Sequence, residues 1–127
     1  MLDLAMHSNE GVSRVADIAQ RQSIPIKFLE QILLVLKAGD LVSSRRGARG
    51  GYVLAKKPTA ITISDIVRLT ENSFAFSQRT NSPYDPFDEI WEDIGNYASK
   101  KLATTTLQDM CARVLELRLG KSLEYTI

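Results

Sequence analysis

The first half of the chain carries two helical patterns separated by a short connector. The first predicted helix ends near Gln22, Ser13 is placed to cap it, and its apolar positions at helical spacing are Val15, Ile18 and Ala19. The second is predicted to start with Pro25 in its first turn and to run to about Ala38, with Gly39 as the left-handed residue that ends it. Its inward-facing positions are Leu29, Ile32, Leu33 and Leu36. Two short helices joined in this way predict a helix-turn-helix.

A β-hairpin is predicted directly after the second helix. Residues 41–46 and 52–55 favour strands, and residues 47–51 between them favour a glycine-rich turn. The first strand ends with Arg45 and Arg46, and the turn contains Arg49. A hairpin in this position is typical of the wing of a winged helix, so the pattern predicts a wing over residues 41–55 with a cationic tip.

The second half of the chain is predicted to contain three helices and one polar segment. Ser64 is placed to cap a helix that contains Ile66, Val67 and Leu69. Residues 73–86 are rich in polar residues and proline, which predicts a loop. One long helix follows, and Thr106 is placed to cap a final helix that ends before Gly120. The apolar stripe of the long helix consists of Phe87, Ile90, Trp91, Ile94, Tyr97, Ala98 and Leu102.

These elements predict a mainly α fold with a small β-hairpin, in which a winged helix-turn-helix domain is joined to a long dimerisation helix. The predicted divisions are a DNA-binding domain at 1–72, a loop at 73–86, and the dimerisation and C-terminal helices at 87–127. A length of 127 residues suits one core with an added dimerisation element. No apolar run is long enough for a membrane span, and no signal peptide is predicted. With a single cysteine as well, we expect a cytoplasmic protein.

The net charge of +1 conceals an uneven distribution along the chain. Residues 13–57 contain nine basic and three acidic side chains, a surplus of six positive charges. The rest of the chain carries a net charge of −5 and includes an acidic cluster at residues 85–93. The segment that contains the predicted helix-turn-helix and wing is therefore suited to a polyanion.

The glycines of the predicted turn also suggest a phosphate-binding loop, which the sequence excludes. No G-x-x-x-x-G-K-[ST] pattern is present, and Gly47, Gly50 and Gly51 lie between strands instead of at a strand-to-helix turn. An ordinary hairpin turn remains the alternative for the glycines. Three arginines with no acidic residue among them are uncommon in an ordinary solvated hairpin, so we predict that the wing arginines contact DNA, where a minor groove attracts such side chains.

The same residues resemble the Rrf2 family of bacterial winged-helix regulators. The resemblance runs from the segment at 15–19 through Leu29-Glu30-Gln31 and the segment at 38–42 to the Arg-Gly-x-x-Gly-Gly-Tyr motif at 46–52. Segments 61–67 and 105–110 are also similar, so it covers nearly the whole chain. The family includes the iron–sulfur cluster regulator and the cysteine-metabolism repressor, and the resemblance implies a dimeric DNA-binding protein.

Site residues follow from the resemblance, position by position. It implies that Lys27, Phe28, Glu30 and Gln31 enter the major groove, where Gln31 suits adenine, Glu30 cytosine, Phe28 a thymine methyl group, and Lys27 guanine or a phosphate. The alternative for all four is an ordinary polar helix face, with Glu30 paired to Lys27. Wing contacts are implied for the segment from Arg45 to Tyr52. Tyr52 can pack under the wing, bond a phosphate or do both, and packing is the first expectation. The DNA-contacting residues implied in the wing are Arg45, Arg46, Arg49, Gly50 and Tyr52.

The apolar stripe of the long helix predicts a homodimer. A single helix that extends from a small domain buries such a stripe poorly, and the same helix of a second chain can cover it. The resemblance implies the same interface, with Trp91 as an anchor; a ligand-stacking role is the alternative for this residue. The acidic side chains of the same helix are expected to face solvent, and they are Asp88, Glu89, Glu92 and Asp93. The predicted interface residues are Phe87, Ile90, Trp91, Ile94, Tyr97 and Ala98.

Two departures from the family pattern are visible. The best-known branch holds an iron–sulfur cluster with three cysteines between the wing domain and the long helix, whereas this chain has no cysteine there, and we expect no cofactor and no metal. Cys111 is interpreted as a small buried hydrophobe, with a redox-sensing thiol as the alternative, and His7 as a surface or helix-end residue. Family members usually also have residues before the position of Met1, which falls inside their first helix.

The sequence therefore predicts a sequence-specific transcriptional regulator, most simply a homodimeric repressor, and not an enzyme, because His7 stands in no catalytic motif. The predicted partners are a pseudo-palindromic DNA operator, a second copy of the chain, and an unidentified small-molecule or protein co-effector. The co-effector is expected to be received at the loop 73–86 and the adjoining long helix. The alternative is a winged-helix module that binds another protein without specific DNA binding.

Overall fold

The structure, a computed structural model, describes residues 1–70 and 85–124. Two strands, β1 (Val42–Arg45) and β2 (Gly51–Leu54), form an antiparallel hairpin that pairs Val42 with Leu54 and Arg45 with Gly51. The predicted mainly α fold with one hairpin is confirmed. Short 3-10 turns lie at Ser8–Glu10 and Pro58–Ala60, and the α-helices are α1 (Leu2–Met6), α2 (Val15–Gln22), α3 (Ile26–Ala38), α4 (Ile63–Thr70), α5 (Pro86–Thr104) and α6 (Leu107–Glu124).

Helices α2 and α3 form the predicted helix-turn-helix, with one correction at the start of α2. The capping position is occupied by Arg14, not by Ser13, and no side chain caps the helix. Ser13 is instead buried, and its backbone pairs with Tyr52 in both directions, at N···O distances of 3.0 and 2.8 Å. The left-handed Ser23 ends α2 directly after Gln22, as the pattern predicted.

The end of α3 differs from the sequence prediction. Gly39 has φ −89°, an ordinary right-handed value, and the left-handed residue is the next one, Asp40, with φ 59°. Gly39 instead leaves room for a neighbouring side chain, because a Cβ atom on it would meet the side chain of Leu69 on α4, which would have to shift. The contact between Gly39 and Leu69 is therefore part of the packing of α3 against α4.

We expect Gly39→Ala to destabilise the fold by about 1–2 kcal/mol. Overpacking a tight contact typically costs about 1–3 kcal/mol, and the lower entropy of the unfolded alanine chain offsets part of it. Urea denaturation of the variant, of Leu69→Ala and of the double variant measures the coupling between the two positions. If the contact is responsible, Leu69→Ala will absorb most of the cost of Gly39→Ala; strictly additive effects would contradict this account.

The root of the wing is joined to the segment that precedes α2. The pairing of Ser13 with Tyr52 extends the hairpin by one short bridge. A Cβ atom on Gly51 would meet the carbonyl group of Ser13 and lie 2.9 Å from the Cγ1 atom of Val12. Gly51 is thus the residue that allows the wing to lie against the chain leading into the helix-turn-helix.

Matching capping boxes begin α4 and α6. The Thr62 hydroxyl accepts a hydrogen bond from the Asp65 amide at 3.1 Å, and the Asp65 carboxylate accepts one from the Thr62 amide at 3.0 Å. This hydrogen bond from the Thr62 backbone lowers the pKa of Asp65 from its usual value. The cap of α4 is therefore Thr62 and not Ser64, which lies in the first turn. Thr106 caps α6 as predicted, in the same arrangement with Asp109.

The start of α6 belongs to the core of the winged-helix domain. The Leu107 amide donates to the carbonyl oxygen of Ile61 at 2.8 Å, and the Ile63 amide donates to that of Thr105 at 2.9 Å. Contrary to the sequence prediction, α6 does not end before Gly120 but continues to Glu124. The core cluster joins both ends of the chain and consists of Leu4, Ala5, Ile18, Ala19, Leu29, Leu33, Leu36, Leu41, Val42, Ile61, Leu107 and Cys111.

A buried ion pair fixes α1 to the end of α2. The Asp3 side chain is 4% exposed, and its two oxygens share the Nε–H of Arg21, each at 2.9 Å, while Nη2 of Arg21 lies 2.8 Å from Oδ1. Burial alone would raise the pKa of Asp3, but the hydrogen bonds and charge of Arg21 outweigh burial and hold it below its usual value. The helix-turn-helix is thereby held against the N-terminal helix.

Candidate DNA interface

The predicted base-reading side chains all lie on the surface of α3. Lys27, Glu30 and Gln31 are exposed, and Phe28 is 58% exposed although it is aromatic. Leu29 on the same helix is buried and anchors it to the core. The structure forms no ion pair between Lys27 and Glu30, so the structural role considered for Glu30 is not observed. The hydrophobic core therefore does not depend on these four side chains.

The wing presents its arginines to solvent, as predicted. Arg45, Arg46 and Arg49 are exposed, whereas Gly50 and Tyr52 are partly buried. Tyr52 packs against the hydrophobic core, which agrees with the first expectation for this residue. Gly47 adopts φ 109° and its carbonyl oxygen accepts a hydrogen bond from the Gly50 amide at 2.9 Å, which closes the turn.

Arg14 is a further cationic residue of this surface that sequence reasoning missed as a contact of the wing. Its Nη2 atom donates to the carbonyl oxygen of Ala48 at 3.1 Å, across 34 positions of sequence. Arg14 lies at the start of α2, so the bond joins the first helix of the helix-turn-helix to the tip of the wing. The wing is thereby held at both its root and its tip.

We expect Arg14→Ala to loosen the wing tip without unfolding the protein. A solvent-exposed hydrogen bond contributes about 0.5–1 kcal/mol, which corresponds to about two- to fivefold in local opening. Limited trypsin cleavage after Arg46 and Arg49 measures this opening, with Arg118→Ala as a control for the loss of one exposed arginine. Equal cleavage rates in the wild type and Arg14→Ala would show that the bond does not restrain the wing.

The predicted dimer stripe on α5 is exposed in the single chain. Asp85 caps the helix by accepting a hydrogen bond from the Phe87 amide at 2.9 Å, and Pro86 occupies the first turn. Along the helix Ala98 and Leu102 are partly buried, while the other apolar side chains of the stripe are exposed. Their exposed fractions run from 39% to 72%, and they are Phe87, Ile90, Trp91, Ile94 and Tyr97. The stripe is thus available to a second chain.

The remaining sequence predictions concern the loop, the cysteine and the histidine. Of the predicted loop 73–86, residues 73–84 lie outside the described residues. Cys111 is 7% exposed within the core, and burial raises the pKa of its thiol, so its interpretation as a buried hydrophobe is confirmed. His7 lies at the end of α1, where its Nδ1 atom is 2.8 Å from the carbonyl oxygen of Asp3.

Comparison with known proteins identifies the family. Residues 1–113 match the profile of the Rrf2 family, described as an iron-dependent transcriptional regulator. The chain is 35% identical to the HTH-type transcriptional regulator CymR of Bacillus subtilis, over 88% of this chain and 81% of that protein. It is 36% identical to the protein rrf2 of Nitratidesulfovibrio vulgaris, over 87% of this chain and 78% of that protein.

The cysteine and histidine content of this chain does not suit an iron–sulfur cluster. An iron–sulfur cluster is held by several thiolates or imidazoles, and the sequence contains one cysteine and one histidine. Cys111 is enclosed in the core, and His7 is engaged with the backbone of α1. Across residues 1–70 and 85–124, no three His, Cys, Asp or Glu side chains are grouped to hold a metal.

Solved structures show the same fold. The structure of CymR, the global cysteine regulator of B. subtilis, superposes with a TM-score of 0.80 at 34% identity and covers 88% of this chain and 87% of that one. The structure of T. potens IscR superposes with a TM-score of 0.76 at 34% identity, over 89% of this chain and 78% of that one. Within the described ranges, none of the helices combines the length and apolarity needed to cross a membrane. With its winged helix-turn-helix and a match that spans most of its length, the chain belongs to the Rrf2 family of DNA-binding transcriptional regulators.

Proposed function

We propose that this protein is a cytoplasmic, homodimeric repressor that binds a pseudo-palindromic operator without an iron–sulfur cluster and has no enzymatic activity. The observation that carries the proposal is the exposed face of α3, with Lys27, Glu30 and Gln31, followed in the chain by an arginine-rich wing. Side chains with base-reading chemistry and a nearby cationic hairpin are the two parts of winged-helix recognition of DNA.

On DNA, α3 enters the major groove and the wing follows the adjacent backbone and minor groove. Gln31 and Glu30 offer bidentate contact to adenine and acceptance from cytosine, and Lys27 supplies a donor for guanine or a phosphate. Arg46 and Arg49 place positive charge where the minor groove is most negative. Because Ser13, Gly51 and Arg14 hold the wing at both ends, its arginines are presented in a defined position relative to α2 and α3.

The exposed stripe of α5 supports the dimer. A second copy of the chain covers it, so that two α3 helices lie over two half-sites about one helical turn or a small multiple of it apart. Bound dimer excludes polymerase from the promoter. A co-effector changes the affinity by favouring one relative placement of the two winged-helix domains over another.

The experiment that tests the proposed function is selection of duplexes from a random pool by the full chain, followed by fluorescence anisotropy titrations. We expect the selected duplex to bind far more tightly than its scrambled form, with an affinity that falls steeply as salt rises. The selected sequence should read as an inverted repeat. Weak and equal binding to both duplexes would refute the proposal and favour a protein-binding module.

Within this titration, Arg46→Ala tests the wing. Loss of one arginine contact to DNA costs about 1–3 kcal/mol, so we expect affinity to fall about 5- to 150-fold. If the contact is to phosphates, the slope of log K against log salt should also decrease by about one. Arg118→Ala on α6 is the control, and equal effects of the two variants would exclude a specific role for Arg46.

A further inference from the structure

Two exposed aliphatic side chains interrupt the polar face of the recognition helix. Leu34 is 60% exposed and Val35 is 44% exposed, although Leu33 and Leu36 on either side are almost completely buried at 2%. The core does not need Leu34, because the buried stripe of α3 is complete without it. Among residues 1–70 and 85–124, most of the Leu34 side chain is therefore left without a packing partner.

Leu34 shares a face with the side chains proposed to read bases. It lies three residues after Gln31 and seven after Lys27, and these spacings place side chains on one side of an α-helix. From Lys27 to Leu34 the helix rises about 10 Å at 1.5 Å per residue, which is about two turns. A helix that inserts Lys27 and Gln31 into the major groove therefore presents Leu34 on the same groove-facing side, one turn after Gln31.

The apolar side chain of Leu34 suits one chemical group on the base edges of the major groove. Its side chain has no hydrogen-bond donor or acceptor, so it gains nothing from the polar atoms of guanine, cytosine or adenine. The C5-methyl group of thymine is the one apolar group in the major groove, and aliphatic and aromatic side chains contact it. A polar base edge beneath Leu34 would instead lose its water without a replacement hydrogen bond.

We propose that Leu34 is a specificity-determining residue that contacts a thymine methyl group in each half-site. Leu34 lies one turn of α3 beyond Gln31, so this thymine is a different base from the one that Gln31 reads. This inference rests on the proposed function, since it requires α3 to enter the major groove. It deepens that function by adding a T·A pair to the recognised sequence, at a position distinct from the thymine that Phe28 is suited to contact.

The test removes a single methyl group from the DNA. In the duplex selected by the wild type, each thymine is replaced in turn by deoxyuridine, and the affinity is measured by anisotropy for the wild type and Leu34→Ala. Burial of one methyl group corresponds to about fourfold in affinity. We expect the wild type to lose about fourfold at the thymine beneath Leu34, and Leu34→Ala to lose nothing further there.

Two control variants make the outcome specific. Leu34→Met keeps an apolar side chain of similar size and should keep the sensitivity to that methyl group. Phe28→Ala should keep it as well, and should lose sensitivity at a different thymine. Circular dichroism checks that each variant is folded, which we expect because both replaced positions are exposed.

The possible results distinguish failure of the inference about Leu34 from failure of the proposed function. If the wild type selects no sequence, the proposed function fails and the inference fails with it. If the wild type binds specifically but Leu34→Ala shows the same deoxyuridine profile as the wild type, only the inference is overturned, and the exposed leucine contacts something other than thymine.

Discussion

Replacing Ile94 by aspartate is expected to convert the dimer to a monomer and to lower its affinity for the selected duplex by at least about a hundredfold. Ile94 lies at the centre of the exposed stripe of α5, between Trp91 and Tyr97. In a symmetric dimer the substitution places a carboxylate from each chain in an apolar interface, which is costly without a partner. A monomer loses the gain from binding two half-sites at once, which is worth about 10²- to 10⁴-fold.

The matched control for this experiment is Asn96→Asp. Asn96 is exposed on the same helix, two residues after Ile94 and therefore on nearly the opposite side of α5. It receives the same charge but should leave both dimerisation and DNA binding nearly unchanged. Light scattering after gel filtration gives the mass in solution. A dimeric Ile94→Asp protein, or a monomeric Asn96→Asp protein, would show that the stripe is not the interface.

The second large effect is expected from Arg21→Met, which should destabilise the protein by about 2–3 kcal/mol at neutral pH. The variant leaves the Asp3 carboxylate in place, 4% exposed, without the guanidinium that balances it. Breaking a buried pair costs about 3–5 kcal/mol, and the partial exposure of Arg21 places this pair at or just below the lower end. Urea denaturation measures the change. In the double variant Asp3→Asn/Arg21→Met both charges are absent, so most of the stability should return.

The pH dependence gives the Arg21→Met experiment an independent readout. Because the folded pKa of Asp3 is lowered, its ion pair contributes stability above pH about 4 that is lost as the pH falls through the folded pKa. In Arg21→Met, burial is opposed only by the weaker influences of His7 and Gln22, so the pKa of Asp3 should rise and its carboxyl group can take up a proton. The difference in stability between wild type and variant should therefore shrink in acid. A constant difference from pH 7 to pH 3 would show that lost packing, not the charge, causes the effect.

The sequence was sufficient for the elements whose patterns are local. The buried positions of α2 and α3, the hairpin between 42 and 54, and the Thr106 cap all follow from spacings of a few residues. The cap of α4 was also within reach, because Thr62 and Asp65 have the spacing of a capping box that Ser64 lacks. Ser64 is followed three residues later by Val67, which cannot complete such a box, whereas Thr62 is followed by Asp65.

Contacts between residues far apart in the sequence could not be predicted from such local spacings. The bond from Arg14 to Ala48 spans 34 residues, and the pair of Asp3 with Arg21 spans 18. Each depends on how whole helices pack, which the periodicity of one segment does not determine. The same limit explains the error at Gly39, since only the packing of α3 on α4 shows that Leu69 occupies the space of a side chain.

At the candidate DNA interface, too, local features could be predicted from the sequence and long-range contacts could not. Exposure of the side chains on α3 follows from the position of its buried stripe, and the cationic tip of the wing follows from composition. The attachment of the wing depends on the bridge between Ser13 and Tyr52, for which the sequence shows no local pattern. The sequence thus predicted which residues face outward, and the structure added how the wing is held.

The shared core has a consequence for the order in which a newly made chain becomes functional. Leu107 and Cys111 are buried with Leu4 and Ile61, so the winged-helix domain lacks part of its interior until the start of α6 has been synthesised. Because domains generally fold as units during translation, the emerging α3 has no finished support while the ribosome is still producing α5. By the time the core closes, α5, the proposed dimerisation helix, is already complete. On the proposed function, a nascent chain therefore acquires its stable DNA-binding surface only when it also has the helix with which to find its second copy.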